Sequence, residues 1–443
     1  MDHTPIRNKT TARHKAEERV LTITAFFLVI GILAQKLSVP LGAGTPLEIT
    51  ILLEYLLIFL LLATNRAHID LTVLFLLLLF CAGAVTLSLV TAHSLTSLLL
   101  VLVLYMPLAV RTEVSRPTYF RLLGVFQMLA AFSSCMILAD WAFQFAGLPM
   151  PNMEHLLPEQ LKFVHYNYIQ PLEWGSKWYK PNGFFYLEVS YLAQIIATGI
   201  VIEICFFRRF AYLALLAVAQ ILTFSGTGFL LLAACIPVVL PHLKPKIIAA
   251  AVVLAPIAVI TAASMGVFDN VAKRSEDFAR DGSSANQRFV AQYDFAIKNL
   301  SHQSVALTGI GAGQMPEGPN IVWTPATKVA NEYGILVGGV FFASLLAAIF
   351  RGSTPFAVGY ALAVQFLFLN GGFLVPVNIF LFIMLTTLVK IGRPSSTWST
   401  GPPQGDPVTA PQPHSPQPFE SLSDPDQERQ TLSRRFRERA ARA

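Results

Sequence analysis

The sequence predicts an all-α, polytopic integral membrane protein with about twelve transmembrane helices and a large extracytoplasmic loop. Of its 443 residues, 54% are hydrophobic and only 13% are charged, whereas roughly a quarter of the residues in an ordinary soluble domain are charged. The mean hydropathy is +0.56 although the C-terminal part is polar, so the remainder must contain segments long enough to cross a bilayer. This composition excludes a typical water-soluble enzyme.

Twelve apolar segments are candidates for these spans. They lie near residues 20–35, 49–64, 70–92, 95–110, 121–147, 183–207, 210–225, 226–241, 247–266, 329–350, 354–371 and 374–391. Several are shorter than the roughly 20 residues that a helix needs to cross about 30 Å. The break at Ser225–Gly228 allows 210–241 to form either two spans or one span with a re-entrant kink. A basic N-terminal stretch without a cleavage pattern predicts a retained signal anchor.

The distribution of basic residues predicts the orientation. With the N-terminus inside, the short inside loops and the last exit hold eleven Lys or Arg residues, against four in the short outside connections. Because short cytoplasmic loops are enriched in Lys and Arg, we expect both termini to be cytoplasmic. The net charge of +6 comes from basic residues scattered singly at span ends and in the termini, so we expect no nucleic-acid partner.

The expected domain organisation has three parts. Residues 1–19 form a cytoplasmic N-terminus, and residues 20–391 form the membrane domain with extracytoplasmic loops at 148–182 and 267–328. Residues 392–443 form a cytoplasmic tail with eight prolines between Pro394 and Pro418, a composition typical of a disordered segment.

Metal and cofactor chemistry have no sequence signal. The four cysteines lie singly in apolar runs, without a CxxC pair or a histidine at ligand spacing. We therefore expect no disulfide, no metal site and no organic cofactor.

The loop 148–182 combines carboxylates, lysines and six aromatic residues. One interpretation is an aromatic belt at the membrane surface. The other is a sugar site, because a pyranose stacks on Trp or Tyr while its hydroxyl groups meet carboxylates. Directly after this loop, Glu188 lies about one turn inside an apolar span. Such a group is a functional candidate by default, although an ion pair with a neighbouring helix would also explain it.

The loop 267–328 carries the other candidates. Residues 286–300 have helical spacing of apolar side chains, which predicts one amphipathic helix, and Arg288 precedes the apolar stripe of that helix. Arg288 could alternatively form a surface ion pair with Asp294 or Asp281. The sequence Gly309-x-Gly311-x-Gly313 has no βαβ context and is not a dinucleotide fingerprint.

The order of these features resembles the bacterial Wzy-type polysaccharide polymerase and O-antigen ligase superfamily. The segment Lys180–Ala193 is similar to an R-P-x-G-x-F-x-E-P-S-x-x-A pattern, and Leu222–Leu230 is similar to a Ser-rich span of that family. Arg288, about twenty residues before the Gly-x-Gly-x-Gly sequence, and the segment 331–338 complete the resemblance over residues 180–340.

This sequence departs from the family pattern at three places. Lys180 stands where Arg is common, and Val189 replaces a proline. The histidine that ligases commonly carry before the span that follows the loop is absent from Trp323–Val329. The missing histidine favours an exopolysaccharide or O-antigen polymerase over an O-antigen ligase. A transporter of sugars or lipid-linked oligosaccharides, or a non-catalytic subunit, remain alternatives.

The resemblance implies a metal-independent glycosyltransferase in the bacterial inner membrane. Its donor would be a polyprenyl-pyrophosphate-linked glycan, and its protein partners would be a flippase and a chain-length regulator. Glu188, Arg288 and Glu332 are the catalytic candidates, with Arg288 on the pyrophosphate and a carboxylate as base. The substrate-binding candidates are Lys180, Asn182, Gly183, Arg274, Arg280, Gly309, Gly311, Gly313 and Tyr333.

Overall fold

The computed structural model describes residues 4–40, 46–163, 169–172, 175–246, 249, 279–280, 283–316 and 321–392. The apolar segment 247–266, apart from residue 249, lies outside the described residues. So do Arg274 and the tail from residue 393 onward.

The described chain is mainly helical, as expected from its composition. Its helices are α1 (Thr4–Leu33), α2 (Ile49–Ala63), α3 (Leu71–Ser88), α4 (Leu95–Tyr105), α5 (Arg116–Phe145), α6 (Val189–Ile202), α7 (Phe210–Leu222), α8 (Gly226–Val239), α9 (Ser284–Phe289), α10 (Ala291–Leu300), α11 (Gln303–Thr308), α12 (Pro325–Phe350), α13 (Phe356–Val364) and α14 (Pro376–Thr386). A π-helical turn, Glu203–Phe207, extends α6, and another, Gln365–Leu369, extends α13.

Local sequence signals define several helix starts. Asp70 caps α3 by accepting hydrogen bonds from the amides of Thr72 (3.1 Å) and Val73 (3.3 Å). Proline occupies the first turn of α5, α12 and α14, where its missing amide donor leaves no helical hydrogen bond unmade.

Four helices of the described part are long and apolar enough to cross a membrane. They are Leu71–Ser88, Arg116–Phe145, Val189–Phe207 and Pro325–Phe350. Several shorter apolar helices accompany them. Helix α6 is central, because all of its residues are buried and α5, α7, α8 and α13 pack around it.

Three connecting segments form a small sheet at one end of the helices, which we call the sheet end. Strand β3 (His68–Ile69) pairs antiparallel with β4 (Val110–Val114), and β4 pairs in parallel with the C-terminal strand β7 (Val389–Ile391). Arg351, just after α12, forms an ion pair with Asp70 at 3.4 Å. Glu17 on α1 accepts a hydrogen bond from the Ser115 amide at 3.2 Å.

Other connections lie at the opposite end of the helices, which we call the loop end. Strands β1 (Ser38–Pro40) and β2 (Pro46–Glu48) form one antiparallel pair, and β5 (Gln170–Pro171) and β6 (Tyr179–Lys180) form another. The Ser94 amide donates to Ala312 O at 2.8 Å. The Trp141 indole donates to Leu222 O at 3.0 Å, and Tyr191 Oη donates to Gly371 O at 3.3 Å.

From α1 to α8, and again from α12 to α14, the connections between successive helices alternate between these two ends. The connection between α6 and α7 belongs with the sheet end, since Phe206 lies 5.5 Å, ring to ring, from Phe120 near the start of α5. Arg208 in that connection donates to His242 O, beyond α8, at 3.2 Å. Each end therefore collects connections from distant parts of the sequence.

Two expectations about helices are decided by the backbone. The segment 210–241 forms two helices, α7 and α8, separated by Thr223–Ser225. The prediction of one amphipathic helix over 286–300 is wrong, because α9 and α10 are separated at Val290, whose φ of −124° and ψ of −65° are not helical.

Candidate active site

Glu188 is positioned by the start of α6. Its backbone is extended (φ −143°, ψ 156°), and the helix begins at the next residue. The side chain is 15% exposed, and Ser190 Oγ donates to Oε2 at 2.9 Å. The carboxylate is thus held at the loop end, largely but not fully enclosed by protein.

Arg288 faces Glu188 from the long loop. It lies on α9, which begins after Ser283, whose hydroxyl accepts a hydrogen bond from the Asn286 amide at 3.1 Å. The distance from Arg288 Nη2 to Glu188 Oε2 is 3.0 Å, and the Arg288 side chain is 19% exposed. The described partner of Arg288 is therefore Glu188, not Asp294. Asp281, the other partner considered, lies outside the described residues.

The guanidinium and carboxylate both retain binding capacity. Both described hydrogen bonds to the Glu188 carboxylate end on Oε2, and Arg288 Nε has no hydrogen-bond partner among the described residues. A guanidinium has five N–H donors arranged as a planar fork. The pair can therefore accept an anion at Arg288 and a hydroxyl group at Glu188 Oε1.

The segment Leu222–Leu230 packs beside the Glu188–Arg288 pair. Thr227 Oγ1 donates to Ser190 O at 3.4 Å. A Cβ on Gly228 would lie 2.8 Å from Ala193 O, so glycine allows α8 to approach α6 closely. Three sequence elements used for the family resemblance, namely 180–193, 222–230 and Arg288, thus meet at the start of α6.

The other candidates on the first loop, Lys180, Asn182 and Gly183, lie in a strand or a turn with defined backbone contacts. Lys180 is in a strand paired with Gln170. Asn182 is buried and its side chain accepts a hydrogen bond from the Phe184 amide at 3.1 Å. Gly183 has φ +62°, a left-handed conformation that glycine adopts at low cost. The Trp178 ring packs 5.2 Å from Phe145, so this aromatic residue contacts protein.

Glu332 and the glycine sequence form a second cluster. The Glu332 side chain is 1% exposed, lies 3.5 Å from Lys328 Nζ, and accepts a hydrogen bond from the Gly313 amide at 3.0 Å. The amides of Ile310 and Gly311 donate to Asn331 O (2.8 Å) and Glu332 O (3.0 Å). Because these amides are used within the protein, the geometry favours a packing role for this loop over a phosphate cradle.

Tyr333 and Arg280 are the remaining described candidates. Tyr333 is 1% exposed, and its ring packs against Phe80 at 5.2 Å between ring centroids. Arg280 is exposed and precedes α9. The remaining helper, Arg274, is outside the described residues.

Two buried ionisable residues that the sequence analysis did not single out contact the segment before Glu188. Lys36 is 1% exposed and Asp140 is 0% exposed. Burial lowers the pKa of Lys36 to about 7, with Glu154 and Asp140 opposing the shift. A signal existed for both: each is a charged residue in or directly beside an apolar segment, where such residues are expensive.

Comparison with known protein families gives a match over much of the chain. The WcaD colanic acid polymerase family matches residues 23–312. That range contains Glu188, Arg288, Gly309 and Gly311, whereas Gly313, Glu332 and Tyr333 lie beyond it. No curated protein matches the chain.

Proposed function

Because the chain belongs to the WcaD colanic acid polymerase family and polymerises repeat units into an exopolysaccharide, we propose that Glu188 and Arg288 are the centre of its active site. The observation that carries this proposal is their contact. Two residues 100 positions apart, each chosen from the sequence for its chemistry, lie 3.0 Å apart in a partly buried position.

The proposed donor is a polyprenyl-pyrophosphate-linked glycan. When the bond between the anomeric carbon and the pyrophosphate oxygen breaks, the leaving group gains negative charge. The unused N–H donors of Arg288 are suited to bind that charge, because a planar guanidinium pairs with two phosphate oxygens at once. Lys180, Arg280 and Arg274 are proposed helpers that add positive charge nearby.

Glu188 is the proposed general base. The acceptor is a sugar hydroxyl on a second lipid-linked repeat unit, and its oxygen forms the new bond to the anomeric carbon. The hydroxyl proton passes to Glu188 Oε1, which leaves a neutral carboxylic acid, and the polyprenyl pyrophosphate departs. Arg288 and Glu188 supply the anion-binding and proton-accepting functions from side chains, so we propose a metal-independent reaction.

Glu332 is the second candidate for the base. Its carboxylate is more deeply buried than that of Glu188 and is bonded to Lys328 and the Gly313 amide. We therefore rank it behind Glu188. The structural roles of Asn182, Gly183, Gly309, Gly311, Gly313 and Tyr333 make them supports of the fold near the site, and direct substrate contact by them stays a prediction.

We propose that the loop end faces outward from the bacterial inner membrane. The alternation of helix connections between two ends supports twelve spans with both termini cytoplasmic. In this count the segment 247–266, which lies outside the described residues, is one of the twelve. The Lys and Arg residues of the short inside loops fall at the sheet end, as the positive-inside rule requires. Flippase and chain-length regulator proteins are the proposed partners, since a polymerase needs repeat units delivered to the outer face.

The proposal is tested with purified protein in lipid vesicles and a short lipid-linked glycan. The wild-type protein should convert single repeats into a ladder of longer chains, with and without a chelator of divalent cations. Transport of the repeat across the vesicle membrane without any ladder would contradict the proposed reaction and favour the transporter alternative.

A further inference from the structure

The turn before Glu188 has an unfavourable backbone conformation. Gly183 and Phe184 have φ values of +62° and +65°. Glycine tolerates this region, but a phenylalanine there is strained, and such strain persists only where surrounding contacts hold it. Phe184 lies four residues before Glu188, so the conformation of this turn determines where the chain enters α6.

Two buried side chains of opposite charge hold this turn, one from α5 and one from the segment that follows α1. Asp140 Oδ2, on α5, accepts a hydrogen bond from the Gly183 amide at 3.0 Å. Lys36 Nζ, three residues beyond α1, donates to Phe184 O at 2.7 Å and to Asn152 Oδ1 at 2.7 Å. The amide of one turn residue and the carbonyl of the next are thus fixed by a carboxylate and an amine.

The chain between the turn and Glu188 is also fixed. Tyr186 Oη and Ser133 Oγ are 2.5 Å apart, and the Leu187 amide donates to Gln35 Oε1 at 3.1 Å. Tyr186 and Leu187 are both fully buried. A displacement at the turn therefore has no flexible residue to absorb it before Glu188.

We infer that Lys36 and Asp140 are positioning residues that place the Glu188 carboxylate opposite Arg288. This inference rests on the proposed function, because it concerns the geometry of the same site. Neither residue contacts the reacting groups, and each acts through the turn at Gly183 and Phe184. Each side chain hydrogen-bonds one backbone group of the turn, so removing either bond should release the strained conformation.

The test compares Lys36→Met, Asp140→Leu, the double variant and Glu188→Gln in purified full-length protein. Lys162→Met is the matched control, since it also removes a basic side chain at the loop end. Lys162 Nζ lies 2.6 Å from Glu159 Oε1. The turnover rate and the KM for the lipid-linked donor are measured per folded molecule.

Each single variant should lower kcat by about 10- to 100-fold, because a shift of about 1 Å at a reacting group can lower the rate by up to about 100-fold. The donor KM should stay within about threefold, since Arg288 is untouched. The double variant should be at least as slow as the slower single variant, because both hydrogen bonds to the turn are lost. The control should keep the wild-type kcat.

Wild-type kcat per folded molecule in both single variants would overturn the inference, and so would equal changes in kcat and donor KM. If either single variant fails to fold, the double variant and the other single variant decide between these outcomes. An inactive Glu188→Gln protein together with fully active Lys36 and Asp140 variants would refute this inference alone. An active Glu188→Gln protein would instead refute the proposed site.

Discussion

Among the described residues, the hydrogen bonds to the Glu188 carboxylate all end on one oxygen, Oε2. Arg288 and Ser190 both donate to Oε2, which fixes the orientation of the carboxylate plane. A base held in this way loses little freedom when the acceptor hydroxyl arrives, and such preorganisation is a main source of catalytic rate.

At the residue scale, Glu188→Gln should keep the hydrogen-bonded geometry but lose the proton acceptor. We expect the polymerisation rate to fall by a factor on the order of 100 or more, with the donor KM little changed. The measurement is the initial rate of ladder formation, with Glu159→Gln as a control because that glutamate is 81% exposed. A nearly wild-type rate would show that Glu188 only forms a structural ion pair, and Glu332 would then be the candidate for the base.

Arg288 gives a graded prediction. Arg288→Lys keeps the charge but loses the planar fork, so it should already be defective. Arg288→Ala should reduce chain growth by a factor on the order of 100 or more, while lipid-linked single repeats accumulate at the outer face. The exposed Lys298 on α10 supplies the control variant Lys298→Ala. Polymer of normal length from Arg288→Ala would show that the arginine makes only a structural ion pair with Glu188.

Glu48 gives the protein a pH-dependent stability. It lies just before α2, is buried, and accepts a hydrogen bond from the Val377 amide at 3.2 Å. Burial raises its pKa from 4.5 to about 8. The folded state therefore binds more protons than the unfolded state between these values, so the stability falls as pH rises through this range.

The contribution of Glu48 to the free energy of unfolding is complete below about pH 4.5 and absent above about pH 8. Its measurement is the apparent Tm of the detergent-solubilised protein against pH. Glu48→Gln should flatten the profile in this window. An unchanged slope in that variant would attribute the pH dependence to other groups.

At the scale of elements, the glycine loop shows what sequence reasoning can and cannot give. Its glycines were predicted to bind substrate, and their described partners are the connection between α3 and α4 and the first part of α12. A Cβ on Gly311, where φ is +102°, would lie 1.7 Å from Ala92 O. Contacts between segments more than 200 residues apart leave no periodic pattern in one sequence, so a packing role could not be distinguished from a ligand loop.

Gly311→Ala tests that packing role. We expect a large loss of stability, with about 1–3 kcal/mol from the backbone conformation alone and more from the overlap with Ala92. The apparent Tm in detergent is the measurement. Gly339→Ala is the control, because a Cβ at that helical position would meet no neighbouring segment within 4 Å and alanine favours helix by about 0.5–1 kcal/mol. Equal Tm values for the two variants would contradict the close packing.

The helices and strands differ in how far the sequence predicts them. Apolar runs predicted most helices, because burial in a bilayer or a helical core demands long apolar segments. The strands at the sheet end were not predicted, since they arise where three connections happen to meet. Glu188 and Arg288 were each identified from residue type and surroundings, but their contact required the fold. Lys36 was counted only for its charge, and Asp140 was overlooked within a long apolar run.

At the scale of the whole molecule, the orientation in the membrane is testable with a matched pair of cysteines. Ser304 and Ser353 are both exposed, the first at the loop end and the second at the sheet end. In a background without the four native cysteines, Ser304→Cys should react with a membrane-impermeant maleimide in intact spheroplasts. Ser353→Cys should react only after lysis. The reverse pattern would invert the proposed topology.

The parallel pairing of β4 with β7 has a consequence for biosynthesis. Thr112 pairs with Val389, so the partner of β4 leaves the ribosome about 280 residues later, which takes on the order of tens of seconds at typical bacterial elongation rates. During that interval the earlier helices are inserted, while β4 pairs with β3 on one side only. Completion of the sheet therefore comes late in translation, and a nascent chain released before Val389 should be a substrate for membrane quality-control proteases.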